Sequence, residues 1–200
     1  MATINLFGAS GHAKVVMDII QAMGHKTGDL FDDAPHCEYI HGIPVHNASG
    51  IDITGPMIIS IGSDRARKPV SERYDVEYFT AIHPNTTISP SAEIDRGSVV
   101  MPGAIINADA RIGRHCIINT KASIDHDCRI DDFVHIAPGA TLSGNVRVGE
   151  CSWIGVGACV KQGIRIGRNC IIGAGAVVVE DIPDGAVAYG NPCRVKKYNK

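Results

Sequence analysis

His126 stands between two carboxylates in the segment Ile124-Asp125-His126-Asp127-Cys128. An imidazole of ordinary pKa, about 6.5, can take a proton at neutral pH, and an adjoining carboxylate can hold its tautomer and raise its basicity. The same residues also suit a solvated corner whose histidine does no chemistry. His115, His135 and Asn119 are the other polar side chains of this half that could handle a proton or orient a ligand. A second constellation sits at the amino terminus. Residues 3–7 predict a short buried strand, and Gly8-Ala9-Ser10-Gly11-His12 turns it into a patterned helix from Ala13 to Met23, ended by Gly24. Free N–H groups at such a helix start can receive an anion such as a diphosphate. The G-x-G-x-x-G fingerprint of dinucleotide binding is not met, and a plain βα turn fits the spacing equally well.

The elements that must position these groups are set by a repeat. Counting in sixes from Ile88 to Val178 meets Ile, Val or Leu at sixteen successive positions. A helical period of 3.6 does not survive three turns of that counting. Four residues after most of these aliphatics the chain is small, as at Ala92, Ser98, Ala104, Ala110, Cys116, Ala122 and Cys128. Large and small side chains at fixed spacing, with Gly, Asn and Asp between them, predict short strands joined by tight corners, a hexapeptide β-helix of parallel strands. His126 falls two places after Ile124, at an outward corner.

Upstream, the chain alternates between the two regular elements. Residues 28–31 predict a strand leading into Asp32-Asp33, where carboxylates could accept ribose or base hydrogen bonds or simply face solvent. Residues 56–61 predict another strand. Gly62-Ser63-Asp64 opens a helix through about Tyr74, capped by Ser63 or Asp64, and residues 76–82 predict a last strand. This α/β alternation implies a small Rossmann-like open sheet over residues 1–82. At His83-Pro84-Asn85 the period changes to six, so a second, all-β domain covers 83–200. The tail from Gly190 to Lys197 is basic and suits either a solvated end or a clamp on phosphates.

Bulk properties exclude several classes. Nineteen Lys and Arg against 21 Asp and Glu leave no nucleic-acid footprint. No window is long enough to span a bilayer and no signal peptide opens the chain, so a cytoplasmic protein is expected. Seven cysteines without a CxxC pair predict reduced thiols, with Cys116, Cys128 and Cys170 as small buried residues of the repeat.

Taken together, Gly8-Ala9-Ser10-Gly11-His12, Asp32-Asp33, the hexad array, Asp125-His126-Asp127, Val134-His135, Ser143-Gly144-Asn145 and Gly190-Asn191-Pro192 resemble the nucleotide-sugar acetyltransferases of bacillosamine and perosamine synthesis, with sialic acid O-acetyltransferases as near relatives. The resemblance implies a left-handed parallel β-helix with three sides and eighteen residues per coil. Gly144 would then lie one coil beyond His126, with its N–H placed as an oxyanion donor. Asn119, Ala137, Gly155 and Gly173 would form a column of small residues lining a groove for pantetheine. The family further implies acetyl-CoA as co-substrate and the 4-amino group of a UDP-linked 4-amino-4,6-dideoxy sugar as acceptor. His126 would be the base and Asp127 its partner, at a position where relatives often carry Glu. Ser10, Gly11, His12, Asp32, Asp33 and Gly62 would hold the nucleotide, and Asn119 would lie near the sugar. His135, Gly144, Val156, Gly173 and Ala174 would meet the cofactor. A homotrimer is implied, with the acetyl-CoA groove between adjacent β-helices. No metal is expected, because His115, His126 and His135 occupy three phases of the coil and cannot converge on one ion, unlike the histidines of the γ-class carbonic anhydrases that share the fold. A hydroxyl acceptor needs the same base and thioester pocket, so O-acetylation stays open. A non-catalytic scaffold is the remote alternative.

Overall fold

The computed structural model describes residues 1–199, and the chain forms two compact units that divide after Pro84. The first contains β1 (Thr3–Phe7), α1 (Gly11–Ala22), β2 (Lys26–Asp32), β3 (Tyr39–Ile40), β4 (Ile43–Asn47), β5 (Met57–Ile59) and α2 (Asp64–Arg73). Its sheet has the order β3-β4-β2-β1-β5 and is parallel except where β3 meets β4. Ile4, Leu6, Met57 and Ile58 are fully buried, as strands of a parallel sheet covered on both faces require. Helix α1 buries Ala13, Val16, Met17 and Ile20, the i, i+3, i+4, i+7 stripe of an amphipathic helix. Gly24, at φ 78°, ends it: the N–H groups of Gly24 and His25 donate to the carbonyls of Gln21 and Ile20, which is the Schellman arrangement.

Three features differ from the sequence-based expectation. The β3–β4 hairpin was not foreseen. It turns through His41 and Gly42, both at positive φ (48° and 78°), the type I′ geometry suited to two-residue hairpins. The expected strand over 76–82 shortens to Ala81–Ile82. Strand β5 has only three residues, so its edge pairs with this segment through Met57 alone, with Glu77 and Phe79 as backbone partners. Ser63 occupies the N-cap of α2 without a side-chain capping bond. Arg67, 1% exposed, instead donates from Nη1 to the carbonyls of Ile61 and Gly62 at 3.2 and 2.7 Å.

In the second unit the coils contribute two-residue parallel strands to each of three sheets, one of which ends in the longer strands Ala186–Tyr189 and Arg194–Tyr198, the last antiparallel to its neighbour. Strands pair with those eighteen residues away, so Ile106, Ile124, Leu142, Val160 and Val178 stack in one register. These side chains point inward and are at most 2% exposed. Corners repeat with equal regularity. Every sixth residue from Gly97 to Gly175 has positive φ, eight of them not glycine: Asp109, His115, Lys121, Asp127, Phe133, Asn145, Cys151 and Asn169. Left-handed backbone costs a residue with a Cβ about 1–2 kcal/mol, least for Asn and Asp, so stacking of the coils must over-determine it. Two inward serines show how the interior stays satisfied. Ser98 and Ser152, both fully buried, each donate to a glycine carbonyl (Gly113, Gly167) and accept from a cysteine N–H (Cys116, Cys170). All seven cysteines are free thiols, five of them buried. Among the described residues no helix is long and apolar enough to cross a membrane.

Candidate active site

The corner that follows the strand Ser123–Ile124 carries His126 outward. Its Nδ1 lies 2.8 Å from Asp127 Oδ2, and its backbone N–H donates to Asp125 Oδ1 at 2.8 Å. Asp125 Oδ1 also accepts from Asn107 Nδ2, one coil earlier, at 2.9 Å. The contact that holds the ring comes from the next coil: a Cβ on Gly144 would lie 2.6 Å from both Cε1 and Nε2. Hence the imidazole rests flat on the glycine, in space that any larger residue would fill. The hydrogen bond to Asp127, aided by the charge of Asp125, raises the His126 pKa, while bonds from Asn107 and the His126 N–H lower that of Asp125. A carboxylate at Nδ1 favours the tautomer with its proton there, leaving the Nε2 lone pair free to act as a base.

Asp127 reaches His126 despite its short side chain, from a left-handed backbone at φ 60°. Around the pair lies an open groove of about 570 Å³, bordered by the corner residues Asp109, Asp127 and Asn145 and by the strand residues Glu93, Arg111, Arg129 and Arg147. The arginine wall had no counterpart in the sequence reading.

Asn119 and His135 are brought together, with Asn119 Nδ2 3.0 Å from His135 Nε2. His135 is 5% exposed and stacks on Trp153 with ring centroids 4.6 Å apart. Neither side chain joins His126. Asn119 lies at the corner after Ile117–Ile118, and His135 lies on the sheet opposite the His126 corner. The small column Asn119, Ala137, Gly155, Gly173 therefore runs along a different edge of the coil from His126 and Gly144, so within one chain the expected convergence of base, glycine and bare channel does not occur. Its smallness also has another cause. A Cβ on Gly155 would meet the carbonyl oxygen of Ile172 at 2.5 Å, and one on Gly173 would meet Tyr189 Cβ at 2.6 Å; these glycines let successive segments stack. Beside them Val156 is 54% exposed, and Ala174 follows Gly173 at the same edge. His115 is buried and stacked on Phe133 with 6° between the planes, which makes it part of a packed corner.

In the first unit the turn between β1 and α1 borders a pocket of about 470 Å³ whose wall includes Ser10, Gly11, Lys14, His36 and Tyr39. The Ser10 hydroxyl makes no capping bond, and a Cβ on Gly11 or Gly62 would meet open space. Asp32 is spent on backbone: Oδ2 accepts from Ala9 N–H at 2.8 Å and Oδ1 from Ala34 N–H at 2.9 Å, so it shapes the turn. Asp33 is likewise engaged, in a two-point pair with Arg73 at 2.6 and 3.0 Å. His12 lies beside Arg67; burial, then that positive charge, push its pKa down to about 4, and its buried Nε2 has no hydrogen bond. Lys14, His36 and Tyr39 were absent from the sequence reading, because the hairpin that brings the last two to the turn was not foreseen. Among the described residues no three His, Cys, Asp or Glu side chains gather as a metal site.

Two family descriptions match this chain: the PglD N-terminal domain over residues 3–74 and the bacterial transferase hexapeptide (six repeats) over residues 145–179. Similar solved structures include a mutant perosamine N-acetyltransferase from Caulobacter crescentus in complex with CoA and GDP-perosamine, 37% identical, covering 98% of this chain and 97% of that one, with TM-score 0.92. The acetyltransferase domain of PglB from Neisseria gonorrhoeae in complex with acetyl coenzyme A is 39% identical over 97% of this chain and 98% of its own, with TM-score 0.89. WeeI from Acinetobacter baumannii is 28% identical over 98% and 100%, with TM-score 0.88.

Proposed function

This chain belongs to the hexapeptide-repeat, left-handed β-helix nucleotide-sugar acetyltransferases, and from that premise we propose that it acetylates the 4-amino group of a nucleotide-linked 4-amino-4,6-dideoxy sugar with His126 as general base. That it is an acetyltransferase taking acetyl from acetyl-CoA to an amino sugar follows from the family. The observation that carries the finer reading is the 2.8 Å bond between His126 Nδ1 and Asp127 with the ring seated on Gly144. In this reading Nε2 accepts a proton from the sugar amine as its nitrogen attacks the thioester carbonyl. The N–C bond forms, the C–S bond breaks, and the departing thiolate takes the proton back from the imidazolium. Asp127 keeps the ring in one orientation and stabilises its charged form. The Gly144 N–H has no acceptor among the described residues, so it is free to bond the carbonyl oxygen as charge develops.

Ser10, Gly11 and His12, at the turn that Asp32 shapes, and Gly62, between β5 and α2, would receive the nucleotide in this reading, with Asp33 held in place by Arg73. UDP is our first choice of nucleotide; GDP is the alternative, because the Caulobacter relative is in complex with GDP-perosamine. We further propose a homotrimer. His126 with Gly144, and Asn119, His135, Val156, Gly173 and Ala174, occupy different sides of one coil. A neighbouring copy supplies the missing side, and threefold closure suits a three-sided prism.

A thiol-release assay with acetyl-CoA against UDP- and GDP-linked 4-amino sugars, plus sialic acid, tests the acceptor. Turnover with an amino sugar, lost in His126→Ala, is expected; turnover with sialic acid alone would overturn it. Light scattering on the active species should give three times the monomer mass, and an active monomer would refute the trimer.

A further inference from the structure

The arginines beside His126 form a ladder. Arg111, Arg129, Arg147 and Arg165 each open a two-residue strand and pair in direct register, so their side chains leave the same sheet face one strand spacing apart, about 4.8 Å. All four are exposed. Like charges opposite one another on neighbouring strands repel, and a sheet face with no use for them would be expected to alternate sign. Among the described residues only the first makes a side-chain ion pair, Glu93 lying 3.7 Å from Arg111; at Arg165 it is the backbone N–H that donates to a carboxylate, Asp181. Of the nearby acids, Asp132 is paired with Arg114 and Asp184 with Arg168, while Asp95, Asp131 and Glu150 line a neighbouring depression that Arg111 and Arg129 also border. Among the described residues Arg129 and Arg147 have no ion-pair partner, and both border the groove that contains His126.

We infer that Arg129 and Arg147, backed by Arg111, are a phosphate-binding rail of the catalytic groove. Two guanidinium forks one rung apart can each take phosphate oxygens of a single diphosphate, whereas the corner acids Asp109 and Asp127 suit the amino end of a ligand and repel its phosphates. The arginine column carries one acid, Glu93, at its amino-terminal end beside Arg111, so the positive stretch is centred on Arg129 and Arg147. Its role as a rail rests on the assignment of His126 as the reacting centre. Both ligands of that reaction carry the required chemistry: the diphosphate of the nucleotide sugar and the phosphates of coenzyme A.

The test uses the full chain with Arg129→Gln, Arg147→Gln and the pair together. Each single change is expected to raise the KM of one substrate about tenfold, the loss of one charge-assisted contact, with kcat within about twofold, and to flatten the rise of that KM with salt. If the rail holds coenzyme A, the defect appears with acetyl-CoA and vanishes with acetyl-pantetheine. If it holds the nucleotide sugar, the defect persists with acetyl-pantetheine and appears in the KM of the amino sugar nucleotide. Melting temperatures at or above the wild-type value are expected, because repulsion is relieved. Pyrophosphate binding, measured calorimetrically on the wild type and the double variant, separates this inference from the enzymatic reading: should no acceptor be turned over, pyrophosphate binding lost in the double variant still supports the rail. Unchanged KM values and salt slopes, with pyrophosphate binding unaltered, would overturn it, as would variants whose lost activity is matched by lost melting temperature.

Discussion

Gly144→Ala is the sharpest perturbation of the proposed site, because it adds one methyl group and leaves both His126 and Asp127 in place. Gly144 lacks a positive φ, so alanine fits its backbone and folding stability should change by no more than about 0.5 kcal/mol. The added Cβ would lie 2.6 Å from His126 Cε1 and Nε2, while non-bonded carbon atoms settle at about 3.5–4.0 Å. The ring must therefore retreat by about 1 Å. That movement stretches the 2.8 Å bond to Asp127 to or beyond its useful limit of about 3.2 Å. A displacement of about 1 Å in a catalytic group costs on the order of 100-fold in rate. Initial rates of thiol release at saturating acetyl-CoA should fall by that factor, with melting temperature unchanged and nucleotide-sugar affinity nearly so. A rate within about threefold of wild type in a folded Gly144→Ala protein would refute the argument that the seat on this glycine sets the position of the base.

Asp127→Asn removes the main cause of the raised His126 pKa yet keeps a residue that tolerates left-handed backbone. Since the base must be neutral to act, the acidic limb of the kcat/KM profile should move to lower pH while the plateau falls; an unmoved limb would dissociate Asp127 from this histidine. Ser152→Ala leaves the buried Gly167 carbonyl and Cys170 N–H without their partner, so urea unfolding should show a loss of about 1–3 kcal/mol, and Ser98→Ala should match it; a loss below about 0.5 kcal/mol would mean that another group satisfies them. Asp32→Ala releases the turn before α1 and should raise the KM for the nucleotide sugar with little change in kcat, which titration of the nucleotide alone can check.

Much of the β-helix was legible in the chain, because its coil repeats one simple demand. Each side of six residues must turn one large aliphatic inward, and the following corner leaves room only for a small residue, so the period survives in the letters themselves. The eighteen-residue neighbours His126 and Gly144 followed from that period once three sides were assumed. In the first unit the turn Gly8 to His12 announced itself through its glycines, since Gly8 adopts φ 111° and its Cβ would collide with Ile61. The β3–β4 hairpin stayed hidden because its signal, His41-Gly42, is weaker than the usual Asn-Gly pair.

What the sequence by itself determined is therefore the periodic part: the six-residue sides, the inward stripe, and the identity of a histidine flanked by acids. Only the tertiary structure decided where charges ended up. Asp33 finds Arg73, forty residues on, and Asn119 finds His135 across one coil; the four arginines, spaced eighteen residues apart, stack by the period itself, but that Arg129 and Arg147 find no acid to pair with among the described residues is again a matter of the fold. The physical reason is one of range. Burial acts on each side chain according to its own hydrophobicity and so leaves a local pattern, whereas hydrogen bonds and ion pairs depend on which partner the fold delivers within about 3 Å, and no single stretch of sequence records that meeting.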